Sequence, residues 1–245
     1  PDPGGPPLAW AGRYDTVAII ATDGVCTLAT RAGTEQLERL ETLLRTPAPH
    51  PTATRPVTPL RSSLPEARYL ASVERIRELI RAGDCYQVNL TQRLTAEWAG
   101  SAYELGCALW RQTGNASHRA YLDLPEGSVV SGSPERLVVV RDRVATAEPI
   151  KGTAPLGQWS QLERSVKDRA EHVMIVDLLR NDLGRVAVAG GVSVPRLFAH
   201  LATPYVEHMV SEIRAELRDD VTATDVLRAV FPSGSVTGTP KVRAM

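Results

Sequence analysis

The sequence predicts an α+β fold. Strand-like and helix-like stretches are mixed without the strict alternation of a doubly wound parallel sheet. Short apolar runs meet at Asp and Gly turns, the pattern of antiparallel hairpins. Other stretches carry apolar residues at helical spacing.

Taken in order, residues 1–8 (PDPGGPPL) form a Pro/Gly leader. YDTVAIIATDGVCTLAT reads as two strands around Thr22-Asp23-Gly24. Residues 34–45 place leucines at 37, 40, 43 and 44 on one helix face, with Thr34 as a candidate cap. Prolines at 47, 49, 51, 56 and 59 make an extended linker. The expected organisation is therefore an N-terminal remnant over 1–46, a linker over 47–62 and a catalytic domain over 63–245.

Residues 64–82 form an amphipathic helix with Tyr69, Val73, Ile76 and Ile80 on one side, ended by Gly83. CYQVNLTQRL then alternates: Tyr86, Val88 and Leu90 point to a core, while Gln87, Asn89 and Thr91 line a polar face. Residues 102–112 suggest a helix and HRAYLDL a strand. SVVSGSPERLVVV, the Asp142 turn and RVATAEPI read as an antiparallel pair. QLERSVKDRAEHVMIVDLLRNDLGR reads as one long helix ending at Gly184. VSVPRLFA and TPYVEHMVSEIRAEL are extended, and TATDVLRAVF is a short helix capped by Thr222 or Thr224.

Composition narrows the function. Charges balance at 28 against 28 and no basic tract appears, which argues against nucleic acid or an anionic membrane as main partner. No apolar run reaches the ~18 residues of a membrane span. Cys26, Cys85 and Cys107 are scattered, with neither disulfide-framework nor zinc spacing, and fit a reducing cytoplasm. The chain opens without Met or a signal-peptide pattern and closes on KVRAM, which reads as a piece of a longer protein.

Several residues can carry chemistry, each with an ordinary alternative. Lysine occurs only at 151, 167 and 241; the other 25 basic residues are arginine. Arginine cannot replace an amine that must act as a nucleophile. Lys151 follows a strand and precedes a Gly152-Thr153 turn, where side chains face a cleft, yet it also reads as a surface lysine. Asp168 and Glu171 share a helix face at i and i+3, as Mg²⁺ ligands or as a solvated surface. Glu135 at a strand mouth can be a general acid if desolvated, and His208 a general base or a structural histidine. SGSVTGTPK (233–241) lets backbone approach an anion closely but lacks the Gly-Lys-Ser/Thr ending of a phosphate loop.

Taken together, GDCYQVNLTQR (83–93), SGSPERLV (131–138), EPIKGTAP (148–155), KDRAEHVMIVDLLRNDLGRV (167–186) and FPSGSVTGTPKVRAM (231–245) resemble the chorismate-utilising enzymes. These are the component I chains of anthranilate and aminodeoxychorismate synthases, and the isochorismate and salicylate synthases. The resemblance covers about 64–245 and part of 9–45. It implies two stacked, mostly antiparallel sheets with helices outside and a cleft near the middle.

The resemblance also implies roles. The isochorismate and salicylate enzymes carry a water-activating lysine where this chain has Gln87. Anthranilate synthases read P-I-A-G-T where this chain reads PIKGT, the aminodeoxychorismate synthase form. Lys151 is then the covalent nucleophile, Glu135 the acid that protonates the departing hydroxyl, and His208 a neighbour of that hydroxyl. Thr153, Ser235, Gly238 and Thr239, with Gln87, line the substrate site. Glu171 is the metal-binding glutamate for Mg²⁺, and Asp168 a second carboxylate acting through water. Ammonia is expected from a glutamine amidotransferase partner or fused domain, since no Cys-His glutaminase motif is present in the sequence. The family's other metal glutamates and carboxylate-binding Arg and Tyr fall beyond KVRAM, so the 245-residue chain alone is expected to be inactive. Anthranilate synthesis, or a non-catalytic module that binds the amidotransferase, are the alternatives.

Overall fold

The computed structural model describes residues 12–21, 23–47, 54–113, 117–203 and 205–245. In chain order the elements are β1 (Thr16–Ile20), β2 (Cys26–Thr30), α1 (Thr34–Arg45), β3 (Arg55–Pro56), β4 (Arg61–Ser62), α2 (Glu66–Arg81) and β5 (Gln87–Val88). Next come β6 (Leu94–Thr95), β7 (Trp98–Ala99), α3 (Ala102–Thr113), β8 (His118–Leu124), β9 (Gly127–Ser133), β10 (Arg136–Arg141), β11 (Val144–Glu148) and β12 (Ile150–Pro155). The rest are α4 (Trp159–Arg164), α5 (Val166–Gly184), β13 (Ala187–Ala202), β14 (Val206–Leu217), α6 (Ala223–Val230), β15 (Gly238–Thr239) and α7 (Lys241–Ala244). Helices and antiparallel strands interleave irregularly, so the fold is α+β. Chain contacts divide it into Pro1–Ala53 with Leu122–Val129, and Thr54–Tyr121 with Val130–Met245. The boundary at 53/54 falls inside the proline-rich stretch, whose Arg55–Pro56 and Arg61–Ser62 pair with Trp98–Ala99 and Leu94–Thr95.

In the first unit, β1 and β2 pair antiparallel from Thr16↔Thr30 to Ile20↔Cys26, and α1 follows. The expected turn includes Thr22, which lies outside the described residues. Thr34 is not the cap of α1. Gly33 holds the N-cap position without a side-chain bond, and Thr34 is already helical.

The second unit is organised by β14. Its odd-numbered residues from Glu207 to Leu217 are all buried, so one face of the strand is core throughout. β14 pairs antiparallel with β11, β12 and β13, and β10 extends the sheet through β11. Ala145 and Ala147 of β11 join Ile213, Ala215 and Leu217 beneath α5 and α6. Those helices supply Ile175, Val176, Leu179, Leu183, Val226, Ala229 and Val230. Each larger apolar side chain buried this way contributes about 1.5–3 kcal/mol. The opposite face carries alternating charges: Arg136–Glu148 (2.6 Å), Glu148–Arg196 (3.2 Å), Arg196–Glu212 (2.7 Å) and Glu212–Arg214 (2.5 Å).

Three boundaries differ from the sequence reading. The long helix is two. Ser165 takes an extended backbone that ends α4, and its Oγ then accepts the Asp168 amide to cap α5. SVVSGSPERLVVV also splits around Pro134, β9 pairing with β8 and β10 with β11. Finally, Tyr86 is not core: it is 69% exposed while the preceding Cys85 is buried. The strand there is only Gln87–Val88, too short to impose alternation on its neighbours. Thr222, one of two candidate caps, closes a reciprocal box with Asp225 at the start of α6. Among the described residues no helix is long and apolar enough to cross a membrane.

Candidate active site

The site begins with an irregularity in β12. Its register against β14 runs Lys151↔Met209 and then Thr153↔His208, with a bulge between. Gly152 makes the bulge with φ +78°, and a Cβ there would sit 2.9 Å from Leu162 Cδ1 and 3.4 Å from Asp168 Cβ. The EPIKGTAP motif thus folds into a strand whose kink abuts α4 and α5. Lys151 leaves it half-buried, and Nζ donates to the Ser235 carbonyl at 3.3 Å. The chain's other two lysines are otherwise employed. Lys241 is mostly enclosed and lies 2.5 Å from Asp182, and Lys167 lies on the surface 3.7 Å from Glu171.

That carbonyl belongs to the 233–239 turn, which two strands hold in place. β15 pairs with β5 so that Thr239 faces Gln87 and Gly238 faces Val88. Tyr86 N–H donates to Thr239 O (2.7 Å) and Asn89 N–H to Thr237 O (2.8 Å). The Asn89 side chain donates to Ser235 O at 3.1 Å, sharing the acceptor used by Lys151. Gly238 allows the close approach: a Cβ would lie 2.2 Å from Gln87 O and 2.8 Å from Ala244 Cβ. Gly238→Ala is therefore expected to separate the two strands and to cost about 1–3 kcal/mol, read as a lowered urea midpoint. Beside this contact Gln87 Oε1 and Thr239 Oγ1 are buried without a hydrogen-bond partner among the described residues, so acceptor and hydroxyl capacity remains available at this strand pair.

Glu135 closes the group. Its carboxyl meets the Ser235 side chain, the Ile150 backbone and the field of Lys151. Burial pushes it above the ordinary carboxylate range, while those three interactions pull the other way. Two histidines stand nearby on the same framework. His208 Nδ1 lies 3.0 Å from Thr153 Oγ1, and burial holds its imidazole below the usual histidine value. His172, fully buried on α5, is pushed down first by burial and further by the charge of Lys151. A half-buried amine beside a carboxyl whose pKa burial raises can attack an electrophile and protonate what leaves.

A sequence model described as chorismate binding enzyme matches residues 1–245. The chain belongs to this family. Aminodeoxychorismate synthase component 1 of Escherichia coli is 45% identical over 192 residues, covering 75% of this chain and 42% of that protein. Anthranilate synthase component 1 of Pseudomonas putida is 38% identical over 193 residues, covering 76% and 39%. A solved structure of anthranilate synthase component I from Streptococcus pneumoniae superposes with a TM-score of 0.81 at 29% identity, covering 94% of this chain and 55% of that one. The chain thus spans less than half the length of the curated relatives it matches, and its fold is that of the chorismate binding enzymes.

Within that family fold, the structure brings Glu135, Lys151, Ser235, Gln87, Gly238 and Thr239 together. Thr153 and His208 form a second pair one register step along β12 and β14. Asp168 and Glu171 sit on the first turns of α5, with Asp168 against Gly152. Their donor chemistry suits a hard cation held by few protein oxygens, with water and an anionic substrate supplying the rest. Ser165 Oγ–H already donates to Asp168 Oδ2, which fits a carboxylate acting through water better than a direct ligand. Among the described residues no group of three or more His, Cys, Asp or Glu gathers there. Sequence reasoning put Asn89 on the polar face of its strand without giving it a role, and missed His172 as a site residue. His172 did carry a signal: it lies in the buried stripe of α5 with Ile175, Val176, Leu179 and Leu183.

Proposed function

We propose that this chain is the catalytic part of an aminodeoxychorismate synthase component I. It would convert chorismate and ammonia to 4-amino-4-deoxychorismate through a covalent lysine intermediate. The observation that carries this reading is the half-buried Lys151 amine, turned to Ser235 O beside Glu135, with Gln87 rather than a lysine on the strand across the turn. The Lys151 amine attacks ring C2 of chorismate, the double bonds shift, and the C4 hydroxyl leaves as water with the proton of Glu135. Ammonia then bonds to C4, and the reverse shift expels the lysine from C2. Two displacements replace one difficult direct substitution. Gln87 cannot act as the base that would activate water at C2. Glu171, with Asp168, would hold Mg²⁺, which would supply charge neutralisation for a substrate carboxylate. Ammonia comes from a glutamine amidotransferase component, and the reaction belongs in the cytoplasm, where it would serve p-aminobenzoate and folate synthesis.

The proposal fixes a pH dependence. Glu135 must be protonated to act, and burial raises its pKa, so Glu135 gives kcat/KM a limb that falls as pH rises through that raised value. Glu135→Gln should lower the rate by about 10²–10⁴ and remove this limb. A limb that persists in the variant assigns the proton to another group.

A second reading is anthranilate synthesis, supported by the Pseudomonas putida relative and the Streptococcus pneumoniae structure. Product analysis separates the two. The longest natural polypeptide carrying this sequence is incubated with chorismate, Mg²⁺ and ammonium, and the product is identified by chromatography and mass. Aminodeoxychorismate, which retains the enolpyruvyl group, supports the first reading; anthranilate supports the second.

A further inference from the structure

A buried polar pair lies directly behind Lys151, and none of the roles above uses it. His172 Nε2 on α5 is 2.6 Å from Ser211 Oγ on β14, and both residues are fully buried. Ser211 Oγ also accepts the Phe198 N–H at 3.1 Å. His172 Nδ1 lies by the main chain of Lys151 without closing a regular hydrogen bond. Ser211 N–H donates to Pro149 O at 3.2 Å, just before Lys151. One serine on β14 therefore bonds α5, β13 and the residue just before β12.

The location matters because both neighbouring strands are irregular there. β12 bulges between Lys151 and Thr153, and β13 shifts register between Arg196 and Ala199, where Phe198 takes φ +58°. Phe198 in turn packs on His172 with ring centroids 5.6 Å apart and carries the Arg169 guanidinium at 4.0 Å on its ring. Bulges re-aim side chains, and a bulge free to relax would move the amine away from Ser235 O. A polar pair in a dry core is costly unless its members bond each other, and the His172–Ser211 bond forms here in the arrangement that spans the bulges.

We propose that His172 and Ser211 form a positioning pair for Lys151: they lock the β12 bulge to α5 and so aim the amine. The inference rests on the nucleophile reading for its catalytic consequence, but its test has an arm that does not. Lys151, Lys167 and Lys241 differ in setting, so an amine-acylating reagent followed by peptide mass mapping reads Lys151 against exposed Lys167 without any turnover. In the longest natural polypeptide carrying the sequence, Ser211→Ala and His172→Gln should change the Lys151 labelling rate relative to Lys167 severalfold. They should also lower kcat by about ten- to a hundredfold while KM stays near the parent value. Ser211→Thr, which keeps the hydroxyl, should restore both readouts. Parent-like Lys151 labelling in folded Ser211→Ala would overturn the proposal. So would Ser211→Thr behaving no better than Ser211→Ala at equal thermal stability. Altered labelling without any aminodeoxychorismate in the parent would leave the positioning pair standing and sink the functional reading instead.

Discussion

Lys151→Ala should abolish aminodeoxychorismate formation, lowering the rate by about three orders of magnitude or more while leaving the fold intact. Removing a nucleophile removes the route, whereas removing a binding residue weakens it. The structural cost is small because the amine bonds the Ser235 carbonyl at a long 3.3 Å, and Asn89 still occupies that acceptor. Thermal unfolding of the variant should match the parent within about 1 kcal/mol. Retained turnover in a folded Lys151→Ala chain would remove the covalent step from the mechanism.

The largest stability effect is expected at a different lysine. Lys241 Nζ lies 2.5 Å from Asp182 Oδ2 and donates to Val230 O at 3.0 Å, with both ionic side chains nearly sealed from solvent. Burial pushes the Asp182 carboxyl up, and the ammonium opposes that shift. Lys241→Ala strands the carboxyl in the core and should cost about 3–5 kcal/mol. Replacing both residues, as Lys241→Met with Asp182→Leu, should cost much less, because no uncompensated charge remains. Urea midpoints of the single and double variants measure this directly. Equal losses would mean that packing, not the buried charge, dominates at this position.

These two lysines show what the sequence could reveal. Scarcity among arginines marked Lys151 as worth examining, but only the fold separates it from the other two lysines. Lys151 leaves a strand bulge toward a turn, Lys167 rides an exposed helix face, and Lys241 is sealed against α5. The α+β class was legible because antiparallel alternation in β14 and helical spacing in α2 are local patterns. The motif strings likewise marked Glu135, Lys151 and Ser235, which the structure brings into one group. Where reading failed, a competing local effect had won. Ser165 could be read as one more helical residue, yet its cap to Asp168 splits the helix. Tyr86 followed the alternation of its neighbours, but the two-residue β5 does not extend to it. Asn89 and His172 act through partners 146 and 39 residues away, a kind of contact that no spacing rule encodes.

The most direct test of the covalent reading omits the second substrate. The longest natural polypeptide carrying this sequence is mixed with chorismate and Mg²⁺ without ammonium or glutamine, quenched, and examined by intact and peptide mass. The account predicts an adduct of chorismate less one water, located on Lys151, absent from Lys151→Ala and discharged as aminodeoxychorismate when ammonium is added before quenching. Product formation on adding ammonium, with no adduct on Lys151 at any earlier time, would contradict it.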